Sequence, residues 1–337
     1  MKAVVQNVYG DSSVLHIEDV PVPTIGDDDV LIEVRATSLN IGDVHLMTGL
    51  PLIMRPFLGL RGPRQRIRGM DAAGLVHSVG AAVTAFAPGD EVFGVVEGGL
   101  AEFAVGKPSK LAPKPASLTF EQASAIPTSA ATALHALRDT GHVQPGQRVL
   151  IIGASGGVGI FATQLAKAFG AHVTGVASTA KLDLVRSLGA DKVIDYTATD
   201  FTASGVQYDL IVDMASTHSF TSLRRILAAD GTLVIVGGEG GGRFTGGVAR
   251  SMTAPLRSLR SNQKLRGLIS TTSSADLATL AELVEAGKLA PVINSPVPLT
   301  EAGDVAHRLE TGEALGKLVL TQSHPRVIPT ATHLEVS

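Results

Sequence analysis

Ala154-Ser-Gly-Gly-Val-Gly159 puts small residues at the first, third and sixth positions of a short segment. That spacing lets a backbone turn cradle a diphosphate. Gly156 allows close approach of the backbone to the anion, Gly159 allows a following helix to pack against the preceding strand, and the helix N-terminus faces the negative charge. Alanine replaces the glycine usual at the first position. Among 37 glycines a lone triplet would be weak evidence, but the flanks strengthen it. Before it stands the apolar run Arg148-Val-Leu-Ile-Ile152; after it Ile160-Phe-Ala-Thr-Gln-Leu-Ala-Lys-Ala-Phe reads as an amphipathic helix stopped by Gly170. Ala154, Ser155, Gly156, Gly157, Val158 and Gly159 are therefore the first candidate cofactor residues.

The next strand indicates which dinucleotide. His172-Val-Thr-Gly-Val-Ala-Ser178 ends without the Asp or Glu that would hold ribose hydroxyls in an NAD site. Ser178 can donate to a phosphate oxygen, Lys181 supplies a point charge, and Tyr196 closes the following strand at the same corner. NADPH is expected over NADH. A second reading stays open, in which Ser178 caps a helix and Lys181 is a solvated first-turn residue. After the fifth strand, Val236, Gly237 and Gly238 fall at the carboxyl edge where a nicotinamide ribose would lie. The roles of Arg243 and Arg250, further along that segment, are left undetermined.

These residues need a frame, and the chain has room for about two domains in its 337 residues. Residues 1–120 are punctuated by Gly and Pro and read as strands, with period-two alternation over 30–36 and more loosely over 100–105. A helix is expected over 120–137. Strands are expected near 148–152, 172–178, 192–196, 208–213, 232–237 and 265–270, with helices over 181–188, 219–229 and 275–286. Six strands with crossover helices make a doubly wound parallel sheet. A helix over 300–309 and a strand over 316–320 return towards the first domain, and 323–337 read as a loosely held polar tail. Net charge of −3 and 4% aromatics argue against a nucleic-acid partner. No signal peptide and no run near 20 apolar residues is visible, so a cytoplasmic protein with no integral membrane segment is expected. The absence of cysteine removes disulfides, thiolate nucleophiles and cysteine-bound zinc.

Val30-Leu-Ile-Glu-Val34, Ser38-Leu-Asn-x-x-Asp43, Gly69-Met-Asp-Ala-Ala-Gly74, Gly89-Asp-Glu-Val-Phe-Gly94 and the 154–159 turn jointly resemble the medium-chain dehydrogenase/reductase superfamily over residues 1 to about 322. Within it the chain is similar to the quinone oxidoreductase and enone reductase branch that includes ζ-crystallin. The long 52–68 loop and Val173-Thr-Gly-Val-x-Ser178 resemble the subgroup of chloroplast-envelope oxidoreductase homologues and the mitochondrial reticulon-interacting reductase. The resemblance implies a GroES-like strand-rich catalytic domain (1–122 and 288–322) and a Rossmann cofactor domain (123–287), an α/β architecture. It also implies a homodimer joined through the strand at 265–270.

The resemblance identifies three positions where zinc-dependent members carry ligands, and here they hold Asn40, Met70 and Thr128. None is a competent zinc ligand, so no catalytic metal is expected. Without a Lewis acid, a conjugated acceptor is favoured over a simple ketone, because its negative charge spreads through an enolate or hydroquinone anion that hydrogen-bond donors can stabilise. The expected activity is NADPH-dependent reduction of quinones or α,β-unsaturated carbonyls. By resemblance Asn40, Thr128 and Thr132 approach the nicotinamide, and Asp43 orients the Asn40 loop. His45 stands where the branch often places tyrosine and either donates a proton to substrate or is a plain surface residue. His77, His135, His142 and His218 show no partner spacing that suggests catalysis. Two features stay open: the 52–68 loop, with five arginines among apolar residues, is a mobile lid over the substrate site that also touches acidic lipids or partners, or a solvated basic loop with an apolar underside; and Gly240 to Gly247 read as a flexible loop. An NADPH sensor or structural protein with little turnover, or a metal-free aldehyde or alcohol oxidoreductase, is the alternative function.

Overall fold

The computed structural model describes residues 1–215, 217–237, 242–258 and 261–322. The chain opens with an antiparallel pair, β1 (Lys2–Val5) and β2 (His16–Asp19). There follow β3 (Val30–Leu39), helices α1 (Ile41–Thr48) and α2 (Arg55–Leu58), and strands β4 (Asp71–Val79), β5 (Glu91–Glu97) and β6 (Phe103–Pro113). β3 to β6 pair antiparallel in succession, and β3 also pairs with β6, so this sheet curls on itself. The chain returns to it late. Strands β13 (Val297–Pro298) and β14 (Leu318–Thr321) complete the order β13-β14-β3-β4-β5-β6.

Between them lies the second sheet. Helices α3 (Phe120–Ser124) and α4 (Pro127–Leu134) lead into β7 (Arg148–Ile152), α5 (Gly159–Ala168), β8 (His172–Ala177), α6 (Leu182–Ser187) and β9 (Lys192–Asp195). The second half runs β10 (Tyr208–Asp213), α7 (Phe220–Arg225), β11 (Leu227–Ile235), α8 (Val248–Thr253) and β12 (Lys264–Gly267), followed by α9 (Ser274–Glu285). Helix α10 (Ala302–Glu310) precedes β14. All six strands are parallel, in the order β12-β11-β10-β7-β8-β9. That is the doubly wound arrangement, and the order reverses at β7, where the glycine turn emerges. β7 reads as an unbroken apolar run because both its faces are covered: Val149 and Ile151 pack with α4 and α5, Leu150 and Ile152 with the opposite layer.

Several expected elements come out differently. The helix over 120–137 is two helices: Pro127, which has no N–H to give, breaks the first and starts α4, and the six residues His135–Thr140 then continue in a wider π-helical turn. The helix over 219–229 stops at Arg225, because Leu227 already pairs with Tyr208 in the sheet. The strand expected over 100–105 begins at Phe103 and runs on to Pro113. β12 is shorter than expected, and Leu265 is buried in the core rather than offered as an edge contact; Ile269, beyond the strand, is 94% exposed.

The 52–68 segment is not a uniformly solvated basic loop. Arg55 lies over the Tyr9 ring and donates to Gly49 O, Arg66 donates to Asn7 and Glu18, and Arg68 is buried against Gln6 Oε1. Leu52 and Ile53 donate backbone N–H groups to Arg243 O and Phe244 O, joining this segment to the loop after β11. Gly238, Gly240 and the 323–337 tail lie outside the described residues.

Candidate active site

The glycine turn has the geometry a diphosphate requires. Gly153 N and Ala154 N donate to Val176 O, pinning the start of the turn to β8, and Gly156 N donates to Gly153 O. Ser155, Gly157 and Val158 have backbone N–H groups with no acceptor among the described residues. A Cβ on Gly159 would stand 2.1 Å from Gly153 O, so only glycine lets α5 begin this close to the strand. At the carboxyl end of β11, Gly237 takes φ +107° and has nothing within 4 Å of where a Cβ would be. Val236 is tied to β10 through its N–H to Asp213 O. These features fit a bound dinucleotide: open amides, a helix N-terminus and uncluttered backbone in one crevice.

The ribose corner is less simply arranged than its sequence implies. Ser178 caps no helix with its side chain. Lys181 Nζ donates to Gly312 O (3.0 Å) and Ala314 O (2.8 Å), so its charge is turned towards the loop before β14. Tyr196 is exposed. Asp195, which the sequence reading passed over, pairs with Ala177 across the strands; its carboxylate accepts from the Thr179 and Thr197 hydroxyls, and these hold its pKa below the usual value.

Asn40, Asp43, Thr128 and Thr132 come together, with Asn40 and Asp43 buried and the two threonines half-buried. Asn40 caps α1 and is 8% exposed. Its Nδ2 donates to Asp71 Oδ2 at 3.0 Å, and its Oδ1 accepts from Ser129 Oγ (2.9 Å) and Lys317 Nζ (2.5 Å). Asp43 accepts from Asn40 N at 2.9 Å and Gly69 N at 3.2 Å, which is how it orients the loop. Thr128 gives both its hydroxyl (2.5 Å) and its backbone N–H (3.2 Å) to Asp71, and Thr132 Oγ1 donates to Thr128 O. Both threonine hydroxyls thus have protein acceptors, Thr128 on Asp71 and Thr132 on the preceding turn of its own helix.

This cluster is electrostatically unusual. Burial pushes the Asp43 carboxyl up to about 6; the Asn40 N–H opposes that, and the Asp71 charge adds to it. Burial also raises Asp71, against the pull of Lys317, Thr128 and Asn40. Burial lowers Lys317, and the two carboxylates hold it up. Asp71, Ser129 and Lys317 were missed in the sequence. The only local signal was Gly316-Lys317 entering an apolar strand, where a lysine is ordinarily solvent-facing.

The three zinc-ligand positions do meet here: Asn40 and Thr128 share Asp71, and Met70 precedes it. Their donor set does not fit zinc. An amide oxygen already bonded to an ammonium, a thioether and a hydroxyl bonded to a carboxylate offer no thiolate, imidazole or free carboxylate set.

Beside the cluster lies a cleft of about 950 Å³, between α1, the 50–58 segment, α8 and the ends of β11 and β12. Its walls include Val44, Leu58, Val248, Met252 and Leu268; His45 is among its few polar residues, and Asn40 does not line it. Arg250, left undetermined by the sequence, bonds Asp213 at 2.6 Å and His218 O at 2.7 Å, fixing α8 to β10. His135 does have partners: Nδ1 lies 2.8 Å from Ser270 Oγ and Nε2 lies 3.0 Å from Asp276 Oδ2. The histidine thus joins α4, the segment after β12 and α9. No spacing in the sequence marks this junction, because the three residues come together only in the fold.

Two family models match the chain: the alcohol dehydrogenase GroES-like domain over residues 26–116 and the zinc-binding dehydrogenase over residues 188–320. The chain is 33% identical over 335 residues to the chloroplast envelope quinone oxidoreductase homolog of Arabidopsis thaliana, covering 95% of this chain and 98% of that protein. It is 34% identical over 336 residues to the chloroplastic NADPH-dependent alkenal/one oxidoreductase of the same plant, covering 95% of this chain and 79% of that one. The solved quinone oxidoreductase from Coxiella burnetii superposes with a TM-score of 0.83 at 29% identity, covering 95% of this chain and 99% of that one. The chain belongs to the medium-chain dehydrogenase/reductase superfamily, within its branch of quinone oxidoreductases and enone reductases.

Proposed function

We propose that this protein reduces quinones or α,β-unsaturated carbonyls with NADPH and without zinc. The observation that carries the reading is the content of the metal positions: Asn40 and Thr128 are bound into a hydrogen-bonded cluster around a buried ammonium. A carbonyl placed in this cleft would meet no Lewis acid. Conjugated acceptors need less, since charge arriving at the β-carbon or ring spreads to an oxygen that a donor can stabilise.

When bound, the dihydronicotinamide supplies a hydride; every other contribution falls to the chain. The open amides of Ser155, Gly157 and Val158 and the N-terminus of α5 would hold the diphosphate. Val236 and Gly237 would admit the nicotinamide ribose. The apolar walls exclude water and orient the acceptor. His45, in the same cleft, would give the proton that completes the reduced product, so that the acceptor gains one hydride and one proton.

NADPH preference is part of the proposal. It is supported by the absence of a carboxylate at the end of β8 and by Ser178 there; Lys181 would have to leave the Gly312 and Ala314 carbonyls to join. The reading also includes a division into a substrate domain (1–122 and 288–322) and a cofactor domain (123–287), and a homodimer in which Ile269 at the β12 edge meets its copy. No helix among the described residues is long and apolar enough to cross a membrane.

The test is oxidation of NADPH and NADH by purified protein with quinones and enones. Turnover several-fold faster with NADPH is expected. NADPH binding without turnover of any acceptor would instead point to a sensor.

A further inference from the structure

A charged group in a protein interior costs desolvation free energy that its partners seldom more than return. Lys317 is 2% exposed and ranks among the largest fully buried side chains. Its Nζ donates to Asn40 Oδ1 at 2.5 Å, Ser129 Oγ at 3.1 Å and Leu39 O at 3.4 Å. Three acceptors match the three N–H groups of an ammonium and offer nothing to the lone pair of a neutral amine. Ser129 passes its own hydrogen to Asn40 Oδ1, and the far end of that amide donates to Asp71. Asn40 is thus clamped at both ends, with an ammonium on its oxygen and a carboxylate on its nitrogen.

The stem of the same lysine runs beneath the glycine turn. A Cβ on Gly157 would stand 3.3 Å from Lys317 Cδ and 3.5 Å from Ser129 Oγ. Gly157 is one of the residues whose N–H has no acceptor among the described residues. One side chain, just ahead of the last strand of the first sheet, therefore lies under the turn of the second sheet and bonds the Asn40 loop of the first.

We propose that Lys317 is a positioning residue for the cofactor: its ammonium and stem hold the Asn40 loop, the Ser129 helix and the diphosphate turn in one rigid frame. The proposal rests on the reading of the turn as the dinucleotide site. Lys317 does not reach the reacting atoms. It acts through Asn40, Ser129 and Gly157.

The experiment is calorimetric binding of NADPH to the wild type, to Lys317→Met combined with Asp71→Asn, and to Ser129→Ala, each with a thermal unfolding curve. The double substitution removes one charge of each sign and so leaves no lone ion in the core. Adenosine 2′-monophosphate, which lacks the diphosphate, is titrated in parallel. The double variant is expected to weaken NADPH binding about tenfold or more, and Ser129→Ala about threefold, consistent with loss of charge-assisted hydrogen bonds in the frame. Adenosine 2′-monophosphate should bind all three proteins alike. Folded variants that bind NADPH as the wild type does, or that lose both ligands equally, would overturn the proposal. Should the double variant not fold, Ser129→Ala decides alone, and unchanged NADPH affinity there counts against it. A wild type that binds no NADPH would instead remove the reading of the turn itself.

Discussion

The polar residues nearest the reaction divide into two groups with different work. Asn40, Asp43, Asp71, Thr128, Ser129 and Lys317 spend their hydrogen bonds on one another, while His45 lines the cleft. In the proposed function, proton delivery is assigned to His45 because it lines the cleft, and geometry to the buried set. His45→Gln should lower kcat with quinones about tenfold to a hundredfold, within the range of general acids, while NADPH affinity is unchanged. Steady-state kinetics with a binding titration checks this, and full turnover would leave the histidine a surface residue. Asn40, Asp43 and Thr128 were legible because motif spacing marks their positions. Asp71 was seen only as a motif letter, and Lys317 not at all. Beyond a lysine entering an apolar strand, its burial leaves no one-dimensional trace, since it depends on acceptors some 190 and 280 residues away in sequence.

At the scale of elements, the turn before α5 and the junction at His135 hold the crevice open and in register. Gly159→Ala would drive a Cβ into Gly153 O, and the helix must withdraw. Loss of about 2 kcal/mol or more of stability is expected, with NADPH binding abolished; a calorimetric titration and an unfolding curve read both. Asp276 joins α9 to His135 and Arg138. Burial opposes its ionisation, but hydrogen bonds from Ser273, Arg138 and His135 prevail and draw its pKa from 3.8 to about 2. A depressed carboxyl stabilises the fold fully above its unfolded value, and that contribution is lost as pH falls through the folded one. Asp276→Asn should thus cost at most about 2 kcal/mol at neutral pH, a gap that closes between about pH 4 and 2. Urea unfolding at several pH values checks this, and an equal gap at pH 2 and pH 7 would contradict it. The sheet strands were readable from their apolar runs and turn signals. The errors fell where pairing or proline overrode helix pattern, at Leu227 and Pro127.

For the whole molecule, two sheets built from interleaved stretches of chain meet at one crevice. The C-terminal strand returns to the first sheet and brings Lys317 under the turn of the second. The doubly wound parallel sheet was legible because the glycine fingerprint marks one unit, and each later unit repeats strand and helix. The segments around the cleft were legible, as 46–62 and 240–270, but its shape was not, since the conformations of 41–58, 242–255 and 267–269 that wall it with Gly237 and Glu310 are set only in three dimensions. The dimer proposed at the β12 edge should appear in sedimentation velocity as a single species of twice the chain mass. Ile269→Asp should shift it to monomer, because a charge would replace a 94% exposed apolar side chain at the contact; a wild-type monomer would contradict it.

The central claim is hydride transfer to conjugated acceptors without a metal. It is tested most directly by comparing kcat/KM for an enone and for its saturated aldehyde counterpart with chelator-dialysed protein and NADPH, before and after added zinc. A large preference for the enone that survives dialysis and does not change with zinc is expected. Faster reduction of the saturated aldehyde, or activity restored only by zinc, would contradict it.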